Sequence, residues 1–529
     1  MRRREFLGLV AGAAATQQRK AAGTPGMLDP ESFRHYVEDF NRTFPEEVVN
    51  YIPDAHAWDW MKSNIPLFTC PDAATEQLYY YRWWAWRKHI KQTPAGFLVT
   101  EFLKPVSHAG EYNALSCALG HHVAEGRWLR DPQFLDGDVH FWLRTGENGG
   151  LRKNLHQFSG WVASMLYDRW LADGRRDALL PYLDAMAADY QLWEAERLTE
   201  GGLFWQRDVS DGMESSVSGG RKVRNIRPSI NSYMYGNAKA IARIAEMAGQ
   251  QGLVSEYAAK AARLKQLTQQ RLWNQDAAFF ETRRESGEFA PVRENIGYTP
   301  WYFDLPDDGA GYEAAWKQLM DPQGFYAPYG PTTAEQRNPE FQVAYTGDDC
   351  AWDGPSWPFA TTITLRALAN VLNRYRQHDV SKDDYYRTFE IYTRSQHLKR
   401  DDGRVVPFID ENLNPLTGEW LARAMKLRKK TYYGRGDHYN HSGYADLVIT
   451  GLLGLRPRAD DVVEVNPLLP PGKWDWFCLD RVPYHGRMLT IAWDRTGNKL
   501  GKGNGLRVIA DGREIAHSSE LTRVTGRLG

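Results

Sequence analysis

Three carboxylate residues crowd into one short segment of the chain. Asp208, Asp211 and Glu214 lie within seven residues of one another, next to Trp205 and Gly212. A carboxyl that is half-buried against an apolar wall and close to other acids has a raised pKa, so it stays protonated and can donate to a leaving oxygen. The segment therefore supplies candidate general acids. An ordinary solvated acidic loop is the alternative interpretation.

A second acidic segment, 408–419, follows about 200 residues later and carries Asp410 and Glu411 shortly before an Asn-Pro turn. Two carboxylates on separate loops suit hydrolysis at an acetal carbon, because one can protonate the leaving group while the other activates water or attacks directly. Taken alone, this segment is also typical of a Pro/Gly turn with a capping acid.

Two clusters of aromatic and polar residues could hold a flat ligand. In 345–358, Trp352 and Trp357 flank a Gly-Pro turn beside Asp353. These rings could stack on a sugar face, or they could simply buttress the turn. The densest cluster is 432–442, and its candidate substrate-binding residues are Arg435, Tyr439 and His441.

Other classes of site are not indicated. The sequence has no pair of His residues four apart with an intervening Glu, and the adjacent His121 and His122 would point in different directions on a helix, so we predict no metal and no cofactor. P-loop, strand-linked GxGxxG and GxSxG motifs are absent. The net charge of −1 lacks the basic footprint of a nucleic-acid binder. The four cysteines form no CxxC pair, which argues against a zinc knuckle or a disulfide scaffold.

Helices must position these segments, because apolar residues recur with helical spacing from about residue 30 to 455. Short links between helices, such as 249–252, make antiparallel helical hairpins, and the long aromatic-rich segments between hairpins are typical of binding loops. This arrangement predicts an α/α toroid with a site at its mouth. The predicted helices are Leu155–Ala172, Arg176–Glu196, Ile230–Ala248, Leu253–Trp273 and Ser356–Tyr375.

The pattern changes after residue 455. Short β-branched or aromatic runs alternate with Pro-Gly, Thr-Gly-Asn and Asp-Gly turns, which predicts a small antiparallel β domain over 456–529. The predicted strands are 462–466, 474–482, 488–493, 506–509 and 521–524.

The N-terminus resembles a bacterial twin-arginine signal. Arg3 and Arg4 precede Glu-Phe-Leu and a short apolar run that ends in small residues. We therefore predict a signal peptide over 1–22, a helical catalytic domain over 23–455, and a periplasmic or secreted protein. A chance apolar run after a basic start is the alternative. No other apolar stretch reaches the length that spans a bilayer, so no membrane insertion is expected.

The ordered segments resemble the six-hairpin, (α/α)6-barrel glycosidases related to glycoside hydrolase family 63, the trehalases and the mannosylglycerate-hydrolase-like enzymes, and also the family 142-like arabinofuranosidase group. The resemblance covers roughly residues 75–455. Residues 272–280, LWNQDAAFF, are similar to the family's "LWD…GFY" hairpin end, and 352–357, WDGPSW, to its "WxGPxW" element.

The resemblance implies roles for the two acidic segments. Residues 210–216 match the family's "ESGMDNS"-like acid loop with Glu214 at the acid's place. Glu replaces the family's Asp there, and Ser210 replaces the leading Glu, so Asp211 remains a rival acid. Residues 411–419 match the "ENYNPxTGE"-like base segment, which implies Glu411 as the general base. Family enzymes of this kind usually invert configuration.

The predicted function is an exported, exo-acting, inverting glycoside hydrolase that cleaves a terminal bond of a plant or microbial oligosaccharide or polysaccharide. Trp205, Asp208, Asp211, Trp352, Asp353 and Trp357 join the 432–442 cluster as candidate substrate-binding residues. No nucleic acid or partner protein is indicated. Two alternatives stay open: a toroid polysaccharide lyase that uses Arg435, Tyr439 and His441, and a glycan-binding protein without catalysis.

Overall fold

The structure is a computed structural model that describes residues 26–345, 347 and 350–529. The predicted signal peptide lies outside the described residues. Helices dominate the chain as far as residue 452. The helices are α1 Arg34–Thr43, α2 Ala57–Asn64, α3 Ala73–Lys88, α4 Leu119–Gly126, α5 Gln133–Arg144, α6 Val162–Asp173, α7 Arg176–Leu179, α8 Leu183–Arg197, α9 Pro228–Met247, α10 Gln251–Leu272, α11 Thr299–Tyr302, α12 Pro358–Arg374, α13 Lys382–Ser395, α14 Leu421–Arg428 and α15 Tyr444–Leu447.

Six of these helices form the inner ring of an α/α toroid. α4, α6, α9, α11, α12 and α15 each pack against the next, and α15 returns to α4 to close the ring. Outside the ring, α8 and α10 pack on α9, α13 packs on α12, and α3 packs on α15. α9 and α12 bury most of their residues because they are enclosed on almost every face. The predicted fold class, a mainly helical toroid of hairpins, is confirmed.

Two predicted helix boundaries were wrong. The predicted helix Arg176–Glu196 is interrupted at Leu180–Tyr182, because Pro181 lacks the N–H that a helix interior requires. The predicted helix Leu155–Ala172 begins only at Val162, because Lys153–Gln157 forms a separate 3-10 turn. The link between α9 and α10 turns at Gly249, whose φ of 70° suits glycine.

Strands dominate after the last helix. One sheet has the order β1-β12-β13-β14-β15 and another has the order β10-β11-β16, and all their pairs are antiparallel. Four two-stranded hairpins lie among the helices. The strands are β1 Leu67–Thr69, β2 Ile90–Thr93, β3 Gly96–Val99, β4 Trp205–Gln206, β5 Asn225–Ile226, β6 Trp273–Asn274, β7 Phe279–Phe280, β8 His397–Lys399, β9 Val405–Pro407, β10 Leu455–Arg456, β11 Val462–Val465, β12 Trp476–Tyr484, β13 Arg487–Asp494, β14 Gly505–Ala510, β15 Arg513–Ser518 and β16 Val524–Arg527.

The strands differ from the prediction in several respects. The predicted strand 521–524 lies instead at Val524–Arg527, and the short β10 was not predicted. β1 pairs with β12, so a segment far upstream supplies an edge strand of the C-terminal sheet. β15 was missed, because Arg513–Ser518 carries polar residues on its exposed positions and lacks a β-branched run. In the part of the chain that the structure describes, we find no helix with the length and apolar character that crossing a membrane requires.

Candidate active site

A cavity of about 420 Å³ opens where the long loops between the helices converge. Trp357 and Phe359, at the N-terminal end of α12, form part of its wall. The structure brings seven of the predicted site residues to this one cavity: Glu214, Trp352, Trp357, Glu411, Arg435, Tyr439 and His441.

Arg227 fixes the loop that carries Glu214. This side chain is fully buried at the N-terminus of α9, and its guanidinium donates to both Asp208 and Asp211. Ser229 also donates to Asp211, and Ser216 donates to Asp208 at 2.7 Å. Both aspartates therefore serve as acceptors that hold the loop in one conformation.

Four predicted substrate-binding residues do not line this cavity. Asp208 and Asp211 face Arg227, as described above. The Trp205 ring lies under the guanidinium groups of Arg197 and Arg224, 4.4 and 4.7 Å from its centroid. Asp353 accepts a hydrogen bond from the Gln342 amide. The half-buried Glu214 is thus the carboxyl of its loop that reaches the cavity. This geometry favours Glu214 over Asp211 as the acid, and the catalytic role stays a prediction.

The segment 351–356 connects the two acidic loops. The Trp352 N–H donates to the Ser215 carbonyl at 2.8 Å, next to Glu214. At the other end, Ser356 and Leu413 exchange two backbone hydrogen bonds of 2.9 and 3.0 Å, close to Glu411. Each carboxylate is therefore positioned against the same segment, although the two lie about 200 residues apart in the sequence.

Cys350 contacts both carboxylates. Its Sγ lies 3.8 Å from Glu411 Oε2, and its thiol also forms a hydrogen bond with Glu214. Burial raises the pKa of the Cys350 thiol well above its ordinary value, with the charges of Glu214 and Glu411 adding to the effect. The thiol is therefore protonated at neutral pH, and both carboxylates lie within reach of one sulfur atom.

Glu411 is buried beside a guanidinium. Arg435 Nε lies 3.3 Å from Glu411 Oε1, and Arg435 Nη2 donates to Oε2 at 3.4 Å. A cation at this distance favours the charged form of a buried carboxyl, which is the form that a general base needs. Trp352 and Trp357 stack on each other with centroids 5.0 Å apart, and each is 3% exposed. Their rings thus buttress the turn and also form part of the cavity wall.

Sequence reasoning missed a third carboxyl, Glu101. It is 2% exposed, lines the same cavity, and accepts hydrogen bonds from the Tyr439 hydroxyl and the Ala118 N–H. Burial raises the pKa of Glu101 to about 7, and the negative charge of Glu214 adds to the rise. No other acid lies within nine residues of Glu101 in the sequence, so no acidic cluster marked it.

Two residues of the alternative lyase site, Tyr439 and Arg435, form hydrogen bonds with these carboxyls. Tyr439 donates its hydroxyl to Glu101, and Arg435 pairs with Glu411. Burial raises the pKa of Tyr439 well above its ordinary value, which makes its phenolate scarce at neutral pH. His441 bonds the Asp410 carbonyl through Nε2 at 3.0 Å. The cluster therefore supports the carboxylates of the cavity.

Two family models match the chain. The mannosylglycerate hydrolase MGH1-like glycoside hydrolase domain matches residues 111–442, which include every carboxylate of the two predicted acidic segments. The chain belongs to the MGH1-like glycoside hydrolase family. The C-terminal domain of glycosyl hydrolase family 65 matches residues 455–517. The predicted resemblance to the mannosylglycerate-hydrolase-like glycosidases is confirmed at the level of the family, which favours a glycosidase over the lyase and the binding protein.

Solved structures share the fold. A structure titled "Sialidase" is 48% identical, with a TM-score of 0.89 over 94% of this chain. The chain spans 45% of the length of that structure. Two distant structures show the fold alone. A family 78 rhamnosidase of a Bacillus species is 11% identical with a TM-score of 0.56, covering 81% of this chain and 40% of its own. A family 63 mannosylglycerate hydrolase from Thermus thermophilus is 12% identical with a TM-score of 0.50, covering 70% of this chain and 100% of its own.

Proposed function

We propose that this MGH1-like glycoside hydrolase cleaves a terminal glycosidic bond with inversion of configuration, with Glu214 as general acid and Glu411 as general base. The observation that carries the proposal is that one thiol, Cys350, contacts both carboxyls inside one cavity. An acid and a base on different loops meet there, as acetal hydrolysis requires.

The proposed reaction moves one proton at each end of the cavity. Glu214 gives its proton to the glycosidic oxygen while the bond from that oxygen to the anomeric carbon breaks. Glu411 takes a proton from water, and the water oxygen bonds to the opposite face of the anomeric carbon. The leaving group departs as an alcohol, and the product sugar has the inverted configuration. Arg435 supports this step because its guanidinium contacts both oxygens of Glu411 and holds the carboxyl in place.

One feature supports water rather than direct attack by Glu411. The guanidinium of Arg435 holds Glu411 in place and lowers its nucleophilicity, because lone pairs of the Glu411 carboxylate accept hydrogen bonds from it. A cavity of about 420 Å³ suits one or two sugar rings, which supports exo action on the end of a glycan.

The substrate class that we propose is a plant or microbial oligosaccharide or polysaccharide, reached after export through the twin-arginine route. Export is tested by replacing Arg3 and Arg4 together with Lys, because that route reads the pair. The expected result is loss of folded protein outside the cytoplasm. Normal export of the double variant would contradict this part of the proposal.

The acid is tested with Glu214→Gln and a matched variant, Asp211→Asn. Glu214→Gln should lose about 10²–10⁴-fold in kcat/KM on a glycan, but less on an activated aryl glycoside, because a good leaving group needs little protonation. Asp211→Asn should impair both substrates by the same factor, because it only loosens the loop. If Asp211→Asn instead showed the larger loss on the glycan and the smaller loss on the aryl glycoside, Asp211 would be the acid.

Proton NMR of the first-formed sugar tests the stereochemistry. Inversion gives the opposite anomer before mutarotation, and a retained anomer would reject the role of Glu411 as a base acting through water. An aryl glycoside panel read in the same way identifies the terminal sugar.

A further inference from the structure

A second cavity, of about 280 Å³, lies at the other end of α12. Helix residues line one wall, and the chain that enters the C-terminal sheet lines the other. Five arginines share this lining: Arg127, Arg366, Arg374, Arg456 and Arg458.

Four of the five arginines have carboxylate partners. Arg366 bonds Asp168 at 2.6 Å and Asp446 at 3.0 Å. Arg458 bonds Glu464 at 2.8 Å, so the two carboxylates that line the cavity, Asp168 and Glu464, already accept from guanidinium groups. The remaining pairs are Arg127 with Asp446 and Arg374 with Asp304.

Arg456 differs from the other four. Among the described residues, no carboxylate oxygen lies within 4.0 Å of its guanidinium, and its hydrogen bond is a long one, 3.5 Å from Nη2 to Asn370 Oδ1. Burial lowers the pKa of Arg456 to about 9, and the positive charges of Arg374 and Arg366 lower it further than Asp304 and Glu464 raise it. The half-buried Arg456 guanidinium therefore makes one long hydrogen bond to the described residues and lines a cavity together with four other arginines.

Basic side chains also outnumber carboxylates in the ion pairs around the cavity. Asp446 is shared by Arg127 and Arg366, whereas Glu464 is shared by Arg458 and Arg523. Among the described residues, six basic side chains in and next to the lining pair with five carboxylates, and Arg456 pairs with none: the six are Arg127, Lys239, Arg366, Arg374, Arg458 and Arg523, and the carboxylates are Asp168, Asp304, Asp446, Asp460 and Glu464.

We propose that this cavity binds a phosphate-class oxyanion on the unpaired fork of Arg456. A planar guanidinium bonds two oxygens of such an anion at once, and neighbouring arginines add charge from other directions. The volume takes a tetrahedral oxyanion with some of its water. An anion there joins Arg374 of α12 to Arg456 of β10, so it stabilises the packing of the strands on the helices. The inference does not depend on the proposed catalytic mechanism.

The test compares the melting temperature of the full chain in millimolar phosphate with its melting temperature in chloride at equal ionic strength. Isothermal titration calorimetry measures the affinity for phosphate. Wild-type protein should gain at least about 2 °C at saturating phosphate, because a ligand that binds the folded state stabilises it. Arg456→Gln should lose at least tenfold in phosphate affinity and lose the gain in melting temperature. In chloride alone the variant should melt at or above wild type, because it removes a buried charge that lacks a carboxylate partner.

Two further variants keep the test decisive. Arg495→Gln removes an exposed arginine that pairs with Asp475, and it should keep the full response to phosphate. Arg374→Gln lies at the partly exposed rim, where folding tolerates the change, and it should weaken phosphate severalfold. An equal gain in all four proteins would mean a general salt effect and would overturn the proposal. No gain in wild type, or unchanged phosphate affinity in Arg456→Gln, would overturn it too.

Discussion

The two ends of α12 carry opposite charge. At the end that begins with Pro358, the active-site cavity gathers Glu101, Glu214 and Glu411. At the end of Arg374, about 25 Å away along 17 residues, the second cavity gathers arginines. The helix dipole is positive at its N-terminus and negative at its C-terminus, so each end has the charge that the dipole favours. One inner helix thus separates an acidic cavity from a basic one.

Burial disfavours the charged form of one group at each end, and neighbouring like charges add to the effect. It raises the pKa of Glu101 to about 7 in the acidic cavity and lowers the pKa of Arg456 to about 9 in the basic one. The uses differ, however. The acidic cavity holds its carboxyls on loops tied to one segment, which suits proton transfer and a developing positive charge on a sugar ring. The basic cavity lies between the helices and the strands, which suits an anion that stabilises their packing.

The largest expected effect comes from comparing the activity of Glu411→Gln, in the acidic cavity, with that of Arg456→Gln, in the basic cavity. Glu411→Gln should lose about 10²–10⁴-fold in kcat/KM on glycan and aryl glycoside alike, because water attack is needed for every substrate. Arg456→Gln should keep kcat/KM within about twofold, because its cavity takes no part in the reaction. Both values come from initial rates at fixed pH. A large loss in Arg456→Gln would show that the two cavities are coupled.

The sequence predicted the acidic cavity far better than the basic one. Glu214 and Glu411 stand in segments dense in acids, glycine and aromatics, and such segments are typical of functional loops. Glu101 and Arg456 lack such neighbours, and their environments arise only when distant helices and strands pack. Tertiary contacts determine how buried each side chain is and which charges surround it, and the spacing of residues along the chain does not encode those contacts.

The same limit explains Asp208 and Asp211. The spacing of the acidic residues predicted several carboxyls in the site. Asp208 and Asp211 instead accept hydrogen bonds from Arg227, which follows 16 residues after Asp211. The helical ring followed from periodicity, because its hairpins are local. The pairing of β1 with β12 joins residues more than 400 positions apart, so no local turn motif predicts it.

A second prediction compares the buried Arg227 with the partly buried Arg366, because each bridges two aspartates. Arg227 bonds Asp208 and Asp211 at the acidic cavity, whereas Arg366 bonds Asp168 and Asp446 at the basic one. Lysine keeps the charge but not the fork, so both Arg→Lys variants should lose stability, by up to about 3 kcal/mol.

Only Arg227→Lys should lose activity, about 10–10²-fold in kcat/KM, because it displaces the loop that carries Glu214. Thermal melts and kinetics at 25 °C measure the two effects separately. Equal losses of activity in both variants would mean that the effect of Arg227→Lys is general destabilisation, with no specific role in positioning Glu214.

The smallest predicted effect concerns Glu101→Gln, with Asp138→Asn as its matched control. Burial raises the pKa of each of these carboxyls to about 7, but Asp138 lies on α5 and does not line the active-site cavity. A carboxyl with a raised folded-state pKa binds a proton more tightly when folded, so wild type loses stability as pH rises from about 4.5 to above 7. An amide cannot ionise, so each variant should gain in melting temperature relative to wild type over that range.

Activity separates the two variants. The titratable and charged groups that face Glu101 are Glu214 and Arg435, with the Tyr439 hydroxyl and the Cys117 thiol beside them. Because a negative Glu101 disfavours loss of the proton from a neighbouring acid, Glu101→Gln should move the alkaline limb of the kcat/KM profile to lower pH, by roughly half a unit to one unit. Asp138→Asn should leave that limb in place. An unmoved limb in Glu101→Gln, with its stability gain intact, would make Glu101 a structural neighbour of the acid with no influence on its proton.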